Sequence, residues 1–148
     1  MRSRRAQGSV EYLSIVGIAL MLLIPATILF MNYAKSTNDE VLANKVSLIG
    51  NTLMQRSEDM FVLGSGSWTT AEVNMPETLT ESAIINNSDL LIRYTSSKGT
   101  TDAVFFSYRF DINNGSDCSA RCDLGLTPGI NNVRVEYSNG VVHIKKVT

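Results

Sequence analysis

Twenty consecutive residues, Tyr12 to Met31, carry no formal charge, and a carboxylate, Glu11, stands immediately before them. As an α-helix at ~1.5 Å per residue, a run of that length spans about 30 Å, the thickness of a bilayer's hydrocarbon core. Arg2, Arg4 and Arg5 lie ahead of it. That arrangement places the N-terminus on the cytoplasmic side and the bulk of the chain outside. The rest of the chain must therefore be organised as something carried by an apolar stem.

Composition supports a chain of two unlike parts. Hydrophobic residues make up 44% of the 148 positions and charged residues 18%, yet mean hydropathy is only +0.04, because an apolar N-terminal segment is averaged with an ordinary polar remainder. The formal net charge is −1, and without the three arginines of residues 1–6 the remainder stands at −4 before its new amino terminus is counted. A mildly acidic remainder lacks the basic footprint of sequence-independent nucleic-acid binding, so no specific nucleic-acid partner is expected.

Hydrophobic periodicity divides the chain. Residues 1–6 are read as a basic leader, 7–31 as a transmembrane helix, 32–64 as its amphipathic continuation and 65–148 as a β head. No small-x-small cleavage site closes the apolar run at Asn32-Tyr33-Ala34-Lys35, so the segment is expected to be retained. Gly17 weakens the helix, and Pro25 removes a backbone donor and crowds the carbonyl four residues back, predicting a kink or local melting there. From Asn38 to about Leu63, the residues Leu42, Val46, Ile49, Leu53 and Met60 recur on one helical face, while Asp39, Glu40, Lys45, Gln55, Arg56, Glu58 and Asp59 fall largely off it. Gly64-Ser65-Gly66-Ser67 supplies the stop.

Beyond that point the period becomes two. Leu90, Ile92 and Tyr94 alternate with Leu91, Arg93 and Thr95. Val104, Phe106, Tyr108, Phe110 and Ile112 predict one long half-buried strand. Asn139-Gly140 predicts a type I′ hairpin that pairs Tyr137 with Val142, Glu136 with His143 and Val135 with Ile144. Val133, Val135, Tyr137, Val142 and Ile144 would then cover the helix stripe, and His143 would be a surface partner of Glu136. Segments 64–70, 96–101 and 113–131 read as polar loops. The fold class is thus α+β: a long helix, transmembrane in its first half and kinked near Pro25, packed on a C-terminal antiparallel sheet.

Cys118 and Cys122 are the two cysteines and His143 the single histidine. A closed metal site is poorly supported by so few ligands, and no cofactor is expected. A short-loop disulfide is the natural reading if the head is outside the cytoplasm, and a free thiol pair if it is not. Asn86 and Asn114 head Asn-x-Ser sequons and are candidate N-glycosylation sites. No glycine-rich phosphate loop follows a strand, and no paired carboxylates are flanked by nucleophiles, so the chain is not expected to be an enzyme.

An ionisable group at the head of a membrane helix calls for a partner, because an unpaired charge near hydrocarbon costs several kcal/mol. In the intact chain Arg4 and Arg5 are nearest. If the chain were cut before Gln7, a new amino group would arise four residues from Glu11, on the same helical face.

Arg4-Arg5-Ala6-Gln7-Gly8-Ser9-Val10-Glu11-Tyr12-Leu13 resembles the class III signal peptide of archaeal type IV pilin-like proteins: a short basic leader, then Gln-x-Ser-x-Glu, then an apolar run. The resemblance covers roughly residues 4–31, and the expected helix and β head agree with that family's lollipop plan. It implies a prepilin peptidase cutting between Ala6 and Gln7 on the cytoplasmic side. It also implies a mature chain whose fifth residue, Glu11, followed by Tyr12, serves assembly. The partners it implies are further copies of the chain in a helical filament, an assembly platform with its ATPase, and the membrane before assembly. The mature location would be an extracellular surface filament used for adhesion or cell contact. A minor pilin or pseudopilin, an archaellin-like subunit and a simple signal-anchored surface protein share parts of this pattern.

Overall fold

The computed structural model describes Ser3–Val147, with side chains from Val10 onward. Met1 and Arg2 of the expected leader lie outside the described residues. Arg4, Arg5, Ala6, Gln7, Gly8 and Ser9 lie on described helical backbone, with their side chains outside the description. The architecture is α+β: one helix, α1 (Ser3–Leu63), precedes eight strands. The chain divides into two compact units, Met1–Asn38 and Asp39–Thr148.

In the first unit α1 runs without a break through Gly17 and Pro25. The local melting expected at Pro25 is absent: one missing amide donor is not enough to open a helix whose neighbouring turns keep their own bonds. Ser14 Oγ and Thr27 Oγ1 donate to the carbonyls of Val10 and Leu23 at 2.9 and 2.8 Å. The aliphatic hydroxyls of the apolar run, Ser14 and Thr27, are thus satisfied within their own helix.

The second unit begins with the last turns of α1. Val46, Ile49, Leu53 and Met60 are buried, and Leu42 packs at the edge of the same core. Ser57, fully buried, continues the stripe; its hydroxyl donates back to the Leu53 carbonyl at 2.8 Å. The helix stops at Gly64 (φ 96°), whose N–H bonds the Met60 carbonyl at 3.2 Å, a glycine C-cap of the αL type. Ser67 Oγ takes the same carbonyl at 2.8 Å.

The strands are β1 (Trp68–Met75), β2 (Leu79–Ile85), β3 (Asp89–Ser96), β4 (Gly99–Phe106), β5 (Asp111–Asn113), β6 (Arg121–Asp123), β7 (Gly129–Ser138) and β8 (Val141–Val147). They form two four-stranded sheets, ordered β1-β7-β8-β5 and β4-β3-β2-β6. The expected antiparallel β domain is thus found, built as two sheets, with one parallel pairing in which β5 joins β8. The β7–β8 hairpin has the expected register, with Asn139 (φ 53°) and Gly140 (φ 86°) supplying its two left-handed positions. Val133, Val135, Val142 and Ile144 are fully buried in one core with the α1 stripe and with residues of both sheets.

The long strand expected over 104–112 does not exist. β4 ends at Phe106, and a turn through Ser107–Phe110 carries the chain to β5 in the other sheet. Of the expected inward face, Phe110 packs on the core and Ile112 is fully buried, but the part before them is reversed. Phe105 turns inward against Gly50, whereas Val104, Phe106 and Tyr108 are exposed. Over Ala103–Phe106 both faces are apolar, so alternation within β4 alone could not choose between them, and a one-residue shift flips every side chain. Leu91, expected to face outward from β3, is buried as well. The polar loop expected over 113–131 contains β6 and buries Cys118, Leu124 and Leu126.

Candidate functional site

The first candidate site is the apolar stem. From Leu13 to Met31 the large side chains are exposed along every turn, with Leu13, Leu23 and Phe30 at 65%, 60% and 71%. The most apolar stretch of α1 has a mean hydropathy of 2.6, and none of it is buried within the chain; by length and composition this helix can cross a membrane. Covering a single Leu or Ile is worth about 1.5–3 kcal/mol. A stem left in water would forgo that gain at position after position, so this surface calls for lipid or protein around it. Glu11 and Tyr12 are exposed at its head. The helical backbone continues unbroken through Ala6 and Gln7. Glu11 therefore lies four residues, or about 6 Å of rise, from the amino group that a cut before Gln7 would create.

The other singled-out residues lie in the head unit. Cys118 and Cys122 are joined in a disulfide with their Cα atoms 5.2 Å apart. The Asn87 side chain packs beside it, its Oδ1 accepting the Cys118 N–H at 2.8 Å and its Nδ2 donating to Asp117 at 3.1 Å. That bond to Asn87, together with bonds from Ser119, holds the Asp117 carboxyl below its ordinary range. The sequon residue Asn86 is exposed at the β2–β3 turn with φ 54°. Asn114 is half-buried and donates to the Asp123 carbonyl at 3.0 Å.

His143 stands opposite Glu136, the register expected from the hairpin. Its ring nevertheless bonds the Asn113 side chain on β5, while Glu136 lies 3.3 Å from Arg134. Burial, reinforced by the nearby Lys145, lowers the His143 pKa against the opposing pull of Glu136. The parallel β5–β8 pairing, invisible from hairpin logic, supplies Asn113. Among the described residues no three His, Cys, Asp or Glu side chains gather as metal ligands.

One concave surface escaped the sequence reading. A groove of about 430 Å³ opens between the outer face of α1 around Asn51–Glu58 and the turn after β4. The aromatic run Phe105-Phe106-Ser107-Tyr108-Arg109-Phe110 is the signal that marks it. Spread over both faces of a strand, such a run has more rings than one core can take.

The chain matches no protein-family model, no curated protein and no solved structure.

Proposed function

We propose that this chain is the structural subunit of an archaeal type IV pilus-like surface filament. It is made as a membrane-anchored precursor with a cytoplasmic N-terminus and cut by a prepilin peptidase between Ala6 and Gln7. An assembly platform and its ATPase then draw it out of the membrane, and it polymerises through its stem. The observation that carries this reading is the exposed, charge-free run from Tyr12 to Met31 headed by Glu11 and preceded by the Gln7-Gly8-Ser9 motif.

Physical chemistry supports the assembly stage. An apolar helix leaves lipid only for another apolar environment, and a bundle of identical stems provides one. Glu11 facing the Gln7 amine of a neighbouring copy sets the axial register, because a displaced copy leaves both charges unpaired in a low-dielectric core. Contacts of this head-to-tail kind, where their rotation does not close a ring, propagate as a helical fibre. The β head, carried outside, is the part free to meet surfaces and cells.

N-terminal sequencing of the protein in sheared surface filaments tests the reading. The expected first residue is Gln7. Recovery of the intact Met1 terminus, confined to the membrane fraction, would instead identify a signal-anchored surface protein.

A further inference from the structure

The groove on the head unit is built from two kinds of surface. Phe106 and Tyr108 stand on one side, 53% and 90% exposed, with ring centroids 6.1 Å apart and planes 28° from parallel. On the other side Asn51 and Gln55 lie exposed one helical turn apart. Between them Arg109 reaches across to α1 and pairs with Glu58 at 2.9 Å. Two solvated aromatic side chains forgo a large gain in burial, while the inward-turned Phe105 and Phe110 have already filled the space beneath them.

We propose that this groove binds a neutral saccharide. A pyranose ring offers an apolar C–H face to Tyr108 and Phe106, and its hydroxyl edge gives and takes hydrogen bonds from the Asn51 and Gln55 amides, each of which holds both a donor and an acceptor. The volume lies in the range of small-ligand sites, at a size for one or two sugar rings. The charge pattern selects against the other occupants. Arg109 is neutralised by Glu58, so no free cation is left to hold a phosphate or a carboxylate. An apolar helix from a second copy would strip water from an ion pair and two amides without replacing their hydrogen bonds. A hydroxylated ligand replaces them. Every lining residue belongs to the 39–148 unit, so the site stands whether or not the stem polymerises.

The test uses the full chain in detergent micelles. It is titrated with a panel of neutral hexose and N-acetylhexosamine oligosaccharides and followed by ligand-observed NMR. At least one member is expected to bind. Tyr108→Ala should weaken that binding by about tenfold, the equivalent of about 1.4 kcal/mol. Asn51→Ala with Gln55→Ala should weaken it comparably, and Trp68→Ala, an exposed aromatic elsewhere on the head, should leave it unchanged. These substitutions are all at exposed positions, and unaltered thermal melting checks that the head remains folded. Absence of binding across the panel, or binding indifferent to Tyr108 and the two amides, overturns the proposal. So does a loss of self-association in these variants without any saccharide binding, which would assign the groove to a second copy.

Discussion

Asp39 and Ser97 close the head unit on itself: the Asp39 carboxylate accepts the Ser97 backbone N–H at 2.9 Å and the Ser97 hydroxyl as well. Asp39 lies on α1 where the compact head begins, and Ser97 lies in the turn between β3 and β4. The contact pins the start of the head's helical segment to the far end of a hairpin.

That pin is sensitive to acid in a defined direction. Hydrogen bonds from the Ser97 hydroxyl and backbone hold the Asp39 pKa below its ordinary 3.8. A carboxyl lowered in the folded state contributes in full above its unfolded value and loses the contribution as the pH falls through the folded one. Asp39→Asn is therefore expected to lower the melting temperature of the head at pH 7, with the gap from the parent closing as the pH drops below 3.8. Melting curves of both proteins at pH 7 and pH 3 check it, and an equal gap at both would rule the pin out. Asp102, lowered by Arg93, and Asp117, lowered by Asn87, give the parent protein further acid sensitivity in the same direction.

Gly50 marks where helix and sheet touch backbone to ring. A Cβ at this position would overlap the Phe105 ring. Gly50→Ala sets about 1–3 kcal/mol of overpacking against about 1 kcal/mol of improved helix propensity. The expected result is a net loss of head stability, measured by chemical denaturation. Phe105→Leu in the same chain should restore part of it. A more stable Gly50→Ala protein would mean that the ring moves aside freely.

How much of this was legible in the sequence follows from where each decision is made. The Asn139-Gly140 hairpin and the Gly64 stop are settled within a few residues, and both are found as read. The α1 stripe needed only its own period. The segment after Ala103 was not legible, because whether Phe105 or Phe106 turns inward depends on a socket at Gly50 on the distant helix. Leaving β4 for the other sheet depends likewise on remote bonds, among them Ile112 N–H to the Asn87 carbonyl at 2.7 Å. β1 and β2 went unread although Ala71, Val73 and Met75 alternate cleanly, and all three are buried. At the stem, residue order alone marked Gln7 and Glu11, and the partner proposed for them on another copy is not a property of one chain.

The Cys118–Cys122 bridge closes a very short loop, with a sequence separation of 4. The chain-entropy contribution shrinks with loop length and comes to about 2 kcal/mol at this size. Cys118→Ser is expected to cost roughly that amount and to loosen the β2–β3 turn, where Asn87 N–H bonds the Cys118 carbonyl at 3.1 Å. Denaturant melts with and without a phosphine reductant measure the first, and amide exchange at Asn87 and Cys118 the second. An unchanged melt after complete reduction would show the bridge to be energetically idle.

Under the proposed function, Glu11 separates anchoring from assembly. In the proposed precursor lipid holds the stem through its apolar length, and Glu11→Val only extends that length by one residue, so membrane insertion should be at least as efficient as before. In the proposed bundle of stems the same substitution would remove the partner of each neighbouring Gln7 amine and leave a buried, unpaired cation, the more damaging defect in a low-dielectric core. The Glu11→Val chain is therefore expected to accumulate in the membrane with few or no filaments, and membrane fractionation with electron microscopy of sheared material reads both quantities. Glu11→Gln, which keeps a hydrogen-bond acceptor but no charge, should fall between. Abundant filaments of parental length from Glu11→Val would mean that register is set by the shape of the stems alone, with the carboxylate at the helix head serving only the membrane interface.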